Sequence, residues 1–272
     1  MADVIEGPMR RPARLGARHA AMFQDRSVAR SYRNRPPYPD ETVQILADLL
    51  PAGCRRALDV GCGTGFIARP LAALIDAVDA LDPSAAMLEV GKELAGGDRC
   101  NLRWILGLAE EAILHPPYGL VVAAASFHWL QWDIVLPRFA EALVPDGLLA
   151  VVQTRERGGP DLGKLIPRYS TNQDFSVDDD YEWRAELERR GLFTPVGFRE
   201  TAWESFHQSF DDFIDGQHSM GGLSRERMGS HSVEEFDREL CAILVPTYPA
   251  GHVEMEVCAV VGWARPGTGP PV

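Results

Sequence analysis

The densest chemical signal in the chain is the run Asp59-Val-Gly61-Cys-Gly63-Thr-Gly65, which sits between an apolar stretch, Arg56 to Val60, and a segment of helical character, Ile67 to Ile75. Glycines at such a junction let the backbone turn tightly and approach a ligand with no Cβ in the way. In an open α/β sheet the crevice beyond the carboxyl end of the first parallel strand takes nucleotides, and the following helix N-terminus offers unpaired N–H groups. Asp82 ends the next apolar run, about 20 residues on, where a carboxylate accepts the hydroxyls of a ribose. A dinucleotide fingerprint beginning at Gly61 would need glycine at position 66, which is Phe66. That spacing disfavours a nicotinamide-dependent oxidoreductase. His128, in Ser126-Phe-His-Trp-Leu130, follows a fourth apolar run and projects toward the same crevice. A histidine there serves as a general base, orients an acceptor, or packs against Trp129 and Trp132 as a satisfied polar group.

These residues need a sheet to hold them, and the surrounding pattern supplies one. Strands are expected at 56–60, 76–82, 102–106, 119–126 and 148–154, alternating with helices that include one capped by Asp40 and one from Ile134 to Leu143. Such alternation argues for a parallel sheet covered on both faces. After residue 155 the periodicity weakens: a strand is expected at 198–207, short helices over 210–243, and a strong strand at 252–264. The resulting expectation is a mobile arm over 1–18, one domain over 19–266 with a cofactor-binding core at about 40–155 and acceptor-side and late-strand elements at 156–266, and a short tail at 267–272. The acidic run Asp178-Asp179-Asp180 reads as a solvated loop.

With the glycine turn, Asp82 and the strand–helix context in place, the chain resembles the class I S-adenosylmethionine-dependent methyltransferases. ALDVGCGTG (57–65) is similar to that family's first motif, ALDPSAAML (80–88) to its second, and LVPDGLLAVV (143–152) to the element leading into its fifth strand. The resemblance implies a doubly wound, mainly parallel seven-stranded sheet, its last strand antiparallel, with a helical N-terminal lid and cap insertions. It implies S-adenosylmethionine as cofactor and a small-molecule acceptor methylated on oxygen, nitrogen or carbon. Asp59, Gly61, Gly63 and Gly65 would hold the methionine end, Asp82 the ribose, Met87 a face of the adenine, and Leu108, Ala109 and Glu110 its edge.

Two departures from the family pattern stand out. Gly107-Leu108-Ala109-Glu110 replaces a "G-D-A-E" run, so the usual adenine carboxylate is missing, and Glu110 either takes its place or is a solvated helix acid. Tyr118-Gly119-Leu120-Val121 replaces "F-D-L-V". "fHW" at 127–129 and SYRNRPPYP at 31–39 resemble the branch of trans-aconitate and biotin-pathway carrier-protein methyltransferases. There Tyr32 would lie beside the transferred methyl and Arg35 would pair with the methionine carboxylate, unless both merely dock the first helix. Tyr38, Trp129 and His218 are candidate acceptor contacts. His115-Pro-Pro-Tyr118 is similar to an amino-methylating motif of nucleic-acid enzymes, but it precedes the fourth strand and lacks the Asp or Asn that would hold a target amine.

Composition narrows the class. Of 272 residues 46% are hydrophobic and 24% charged, as in ordinary globular proteins, and no apolar run reaches membrane-spanning length. Five cysteines without a C-x-x-C pair indicate neither a disulfide framework nor a zinc site, so no metal is expected. The N-terminus lacks the apolar region of a secretory signal, and a cytoplasmic, reducing location follows as the expectation. The net charge is −12. Residues 1–35 carry eight basic against three acidic side chains, whereas 36–156 carry eight against 16 and 157–272 carry 11 against 20. An acidic body repels a phosphate backbone, so neither nucleic acid nor membrane is expected as a partner. Oligomeric state is undetermined. The rival from another class is a noncatalytic cofactor-binding protein on the same scaffold.

Overall fold

The computed structural model describes residues 21–172 and 187–267. The expectations about the 1–18 arm, the Asp178–Asp180 loop and the final five residues lie outside them.

Five strands, β1 (Arg56–Val60), β2 (Ala77–Asp82), β3 (Leu102–Leu106), β4 (Tyr118–Ala124) and β5 (Leu143–Arg157), pair in parallel in the order 3-2-1-4-5. Their side chains alternate between two buried faces, as period-two geometry requires. Ala57, Leu120, Val122, Ala150 and Val152 meet one helical layer through Leu46 of α2 (Asp40–Asp48) and Leu50 just beyond it, while the short α1 (Arg26–Ser31) packs elsewhere, on Met87. Leu58, Val121, Ala123, Leu149 and Val151 pack instead on Val135, Leu136 and Phe139 of a helix on the other side, Trp132–Ala142. Apolar residues on both faces explain why these strands read as continuous hydrophobic runs.

The late region departs from expectation. The strand foreseen at 198–207 is two strands, β6 (Phe193–Glu200) and β7 (Glu204–Ser209), interrupted at Thr201-Ala202-Trp203. Both pair antiparallel with β8 (His252–Pro266), β7 along its first half and β6 along its second, while β5 occupies β8's other edge. Among the described residues the sheet therefore has eight strands rather than seven, and β8 is antiparallel as foreseen. A 15-residue β8 has room for two short partners end to end.

Three local expectations also change. The helix read at 67–75 is one turn, α3 (Ala68–Leu71), followed by turns, with Pro70 inside the first turn where its missing N–H costs nothing. Asp40 is the first residue of α2 and Pro39 its N-cap, with no side-chain capping bond. Pro145-Asp146-Gly147 lies within β5 rather than before it. Helix α4 (Ala85–Glu93) follows β2, and the helix after β4 is α5 (Trp132–Ala142). Beyond β7 come α6 (Phe210–Gln217) and α7 (Ser230–Thr247), whose Phe213, Phe236, Leu240 and Leu244 join Val253 and Met255 in a separate cap core. No helix among the described residues is long and apolar enough to cross a membrane.

Candidate active site

Parallel β1, β2 and β4 end side by side, and their carboxyl ends open into a cleft of about 310 Å³. The glycine turn is pinned to the neighbouring strand before any ligand is considered: Gly61 and Cys62 N–H groups both donate to the Leu81 carbonyl, at 2.7 and 3.1 Å. Asp82, the last residue of β2, accepts from Gly63 N–H at 2.8 Å and from Ser84 N–H at 2.8 Å. One carboxylate thereby fixes two adjacent loops. Gly61, Gly63 and Gly65 all have positive φ (65°, 55° and 81°). At Gly61 a Cβ would come within 2.5 Å of the Ser126 Cβ, so only glycine lets β1's turn pass β4's end. Gly65 serves packing instead: its Cβ would strike the Trp104 ring at 2.7 Å, and it does not line the cleft.

Asp59 lies beneath the turn, 1% exposed, and neither carboxylate oxygen has a hydrogen-bond partner of ordinary geometry, though the Ala68 amide faces it. An uncompensated buried carboxylate is costly. Burial and the nearby Asp82 charge push the Asp59 carboxyl up to about 7, and burial raises Asp82 to about 6 against its two backbone donors. Asp59 does not itself line the cleft, so it acts on a ligand through the turn as a buried charge, while Asp82 stands at the cleft wall. The pair fits a ligand bearing a positive charge and vicinal hydroxyls, which is the chemistry of S-adenosylmethionine.

The structure brings most of the candidate residues together. Gly61, Gly63, Asp82, Met87, Ala109, Glu110, His128, Trp129, Tyr32 and Arg35 all line the cleft. Ser84 caps α4 by accepting from Met87 N–H at 3.3 Å, which presents the Met87 side chain to the cavity. His128 rides a single 3-10 turn, Phe127–Trp129, directly after β4, and its ring lies 4.9 Å from that of Trp129. Trp129 meets Phe23 edge-on at 5.9 Å. Glu110 spends one oxygen on Gln131 N–H (2.7 Å) at the start of α5, so it is neither simply solvated nor wholly available.

Two expectations are corrected. Leu108 is 47% exposed and does not line the cleft; the loop turns it outward while Gly107, Ala109 and Glu110 face in. His218 is fully buried in the cap, its Nδ1 2.7 Å from the Leu223 carbonyl and its Nε2 2.7 Å from Asp237, and it lines neither cavity. A satisfied core histidine is what its surroundings make of it. Tyr38 lines a second cavity rather than the cleft, and burial, with Tyr32 and Asp59 adding to it, raises its hydroxyl above the ordinary phenol range.

That second cavity, about 320 Å³, shares Tyr32, Arg35 and Ala125 with the cleft. Tyr32 and Arg35 form the partition: the guanidinium lies 4.4 Å from the centre of the Tyr32 ring and donates to Ser219 through Nε (Oγ, 2.7 Å) and Nη2 (carbonyl O, 2.9 Å). The Tyr32 ring is also 3.6 Å from where a Gly63 Cβ would stand. Ala125 adopts φ +50°, an unfavourable conformation for a residue with a Cβ, at the rim of both cavities. Sequence reading missed Phe23, Gln24, Ala125 and Ser126 as lining residues. For the last two a signal was available, the small-residue run at the end of β4.

The N-terminal segment is fastened over the cleft. Ser84 Oγ donates to the Phe23 carbonyl at 2.9 Å, and Val28 and Ala29 of α1 pack on Met87. From the cap, Arg227 bonds Asp25 and Ser224 Oγ reaches the same carboxylate at 2.8 Å. Ser31 and Asn34 both donate to Asp215, each at 2.9 Å. Among the described residues one grouping could hold a metal, His207, His252 and Glu254 on the β7–β8 ladder, and none of the three lines the cleft or the second cavity.

Comparison with known proteins places this geometry in a class. Residues 57–147 match the model of a methyltransferase domain family. With the sheet order and the glycine turn, this makes the chain a member of the class I S-adenosylmethionine-dependent methyltransferases. An uncharacterised methyltransferase of Mycobacterium tuberculosis is 37% identical over 141 residues, 50% of this chain and 55% of its own length. The chain thus spans little more than half of that relative. A malonyl-[acyl-carrier protein] O-methyltransferase of Halalkalibacterium halodurans is 35% identical over 61% of this chain and 66% of its own, and a trans-aconitate 2-methyltransferase of M. tuberculosis 25% identical over 80% and 85%. Among solved structures, one described as a candidate type II methyltransferase from Anaeromyxobacter dehalogenans superposes with a TM-score of 0.62 at 20% identity, covering 87% of this chain and 99% of that one. The [4+2]-cyclase SpnF shares the fold at a TM-score of 0.53 and 17% identity, covering 97% and 100%.

Proposed function

We propose that the protein transfers a methyl group from S-adenosylmethionine to a small molecule. The observation that carries this reading is the orphaned, buried Asp59 carboxylate beneath a glycine turn whose next loop is held by Asp82. Bound in the cleft, S-adenosylmethionine supplies a methyl carbon already activated by its sulfonium sulfur. The protein's own residues bind, orient and exclude water. Asp82 meets the ribose hydroxyls while keeping its backbone bonds, Met87 covers an apolar face, and Ala109 and Glu110 border the far end. Arg35, at the partition, meets the cofactor's carboxylate in a charge-assisted bond. Asp59 offsets the positive end from below. Tyr32 and Arg35 close the junction where the acceptor must approach, an alignment effect worth up to about 7–11 kcal/mol. His128, across the cleft mouth, takes the proton from an acceptor that must lose one, or holds that acceptor in line.

Calorimetric titration with S-adenosylmethionine and S-adenosylhomocysteine, followed by a metabolite panel read out as S-adenosylhomocysteine formation, tests this. Micromolar binding with turnover on a panel member is expected; absence of binding to either nucleoside overturns it. Tight binding with no turnover on any acceptor would favour a noncatalytic or different chemistry on the same scaffold, a reading to which the cyclase with this fold gives substance.

A further inference from the structure

The second cavity has a chemistry of its own. It adjoins the cleft at Tyr32, Arg35 and Ala125 and is walled by Tyr38, Phe66, Phe213 and Met220. At the end of β5, Thr154 and Glu156 turn into it, while the intervening residues Arg155 and Arg157 point to the other face and pair with Glu200 (2.9 Å) and Glu256 (2.7 Å). Strand alternation therefore turns β5's two cations away from the cavity and leaves Glu156, exposed at its rim, on the cavity side. Glu156 and Arg35 are the charged side chains among its lining residues. Two of the three Arg35 nitrogens already donate to Ser219, and the same guanidinium lies toward the cofactor cleft. Behind the lining, Asp59 acts on Tyr38, and Asp215, which bonds Asn34, is itself paired with Arg225 at 3.2 Å.

We infer that this cavity is the acceptor subsite and that it takes an amine-bearing small molecule, its ammonium held by Glu156 among the aromatic rings, rather than a carboxylate. The inference rests on the methyltransferase reading, because it assigns Arg35 to the cofactor. A carboxylate against carboxylate is penalised, and an ammonium gains both a charge-assisted bond and the negative faces of Tyr32, Tyr38, Phe66 and Phe213. Partial exclusion of water already raises the Glu156 carboxyl above the ordinary glutamate value, with Arg35 opposing. A cation in the cavity relieves that cost. This separates the chain from relatives named for trans-aconitate and malonyl-[acyl-carrier protein], whose acceptors are acids. The substitution that would most directly reverse the preference is at Glu156, since its backbone is held in the β5–β8 ladder opposite Val257 and Gln keeps the side chain's shape.

The test is calorimetry on the full chain, alone and saturated with S-adenosylhomocysteine, with two matched probes, 2-phenylethylamine and 3-phenylpropanoate. The amine is expected to bind at least about tenfold more tightly than the acid, and E156Q to lose that preference about tenfold or more with its melting temperature and nucleoside affinity unchanged. Equal binding of both probes, tighter binding of the acid, binding of neither, or an amine preference that survives E156Q overturns the inference. Failure of S-adenosylhomocysteine to bind instead defeats the methyltransferase reading, and the two results are read from separate titrations.

Discussion

The cofactor cleft and the acceptor cavity share a wall but are built on opposite principles. The cleft is centred on the ends of three neighbouring parallel strands, where the Leu81 carbonyl and the Asp82 carboxylate lock the glycine turn in place. Its floor is decided by close approach of backbone, and lid residues between 23 and 35 close it. The cavity is drawn from six separated segments, around residues 32–38, 66, 125, 154–156, 208–220 and 255. Its shape depends on a lid and a cap held together by hydrogen bonds and ion pairs. A rigid half and an assembled half divide fixed recognition from a wall that can vary, since function lives in sites grafted on a fold.

The sharpest way to break the rigid half is G61A. Positive φ and a Cβ 2.5 Å from Ser126 combine conformational strain of about 1–2 kcal/mol with overpacking of about 1–3 kcal/mol. Thermal melts should show marked destabilisation and calorimetry the loss of nucleoside binding. Adding S126G should recover part of both, whereas no recovery would mean that the contact is not the cause. Next in size is H128A, expected to cut turnover about 10²-fold or more while leaving cofactor affinity within a few-fold. Unchanged turnover would remove His128 from the chemistry and leave it a packing partner of Trp129.

D59N probes the electrostatic design of the same half. Asp59 and Asp82 hold protons in the folded state, to about pH 7 and 6, that the unfolded chain releases near the ordinary aspartate value of 3.8. Between those limits the folded state binds more protons, so the stability these groups contribute is present at low pH and lost as pH rises toward 7. Melting temperatures of the ligand-free protein from pH 4 to 8 should fall through that window, and D59N should flatten the fall and raise stability at pH 8. The same variant should weaken S-adenosylmethionine binding. The smallest effect is expected in the assembled half: D25A removes the Arg227 and Ser224 contacts to the lid and should cost about 1 kcal/mol or less in stability, since such pairs at a partly exposed site are worth little. Faster hydrogen exchange over residues 23–35 would locate that loss in the lid, and unchanged exchange there would show that the Asp215 bonds and the packing on Met87 suffice to hold it.

Much of the rigid half was legible in the chain. Asp59, Gly61, Gly63, Asp82 and Met87 announced themselves because backbone turns and strand ends are local events, with residue type and spacing tied to geometry over a few positions. Even there the reasons differ in detail, since Gly65 is demanded by Trp104, and Leu108 turns outward where its neighbours face in. The alternating pattern gave way after residue 155 because β6 and β7 are defined by their common partner β8 and not by their own periodicity, so one expected strand became two.

What the amino-acid sequence determined by itself is the parallel sheet, the glycine turn and the acid at the end of β2, all products of short-range sterics and hydrophobic alternation. What the tertiary structure alone decided is which distant groups meet. It buried His218 against Asp237 instead of turning it to the acceptor, set Arg35 on Ser219 at the junction of two cavities, and left Glu156 on the cavity side while Arg155 and Arg157 found acidic partners outside. Those outcomes depend on the packing of segments 19 to 184 residues apart, and no local spacing encodes them.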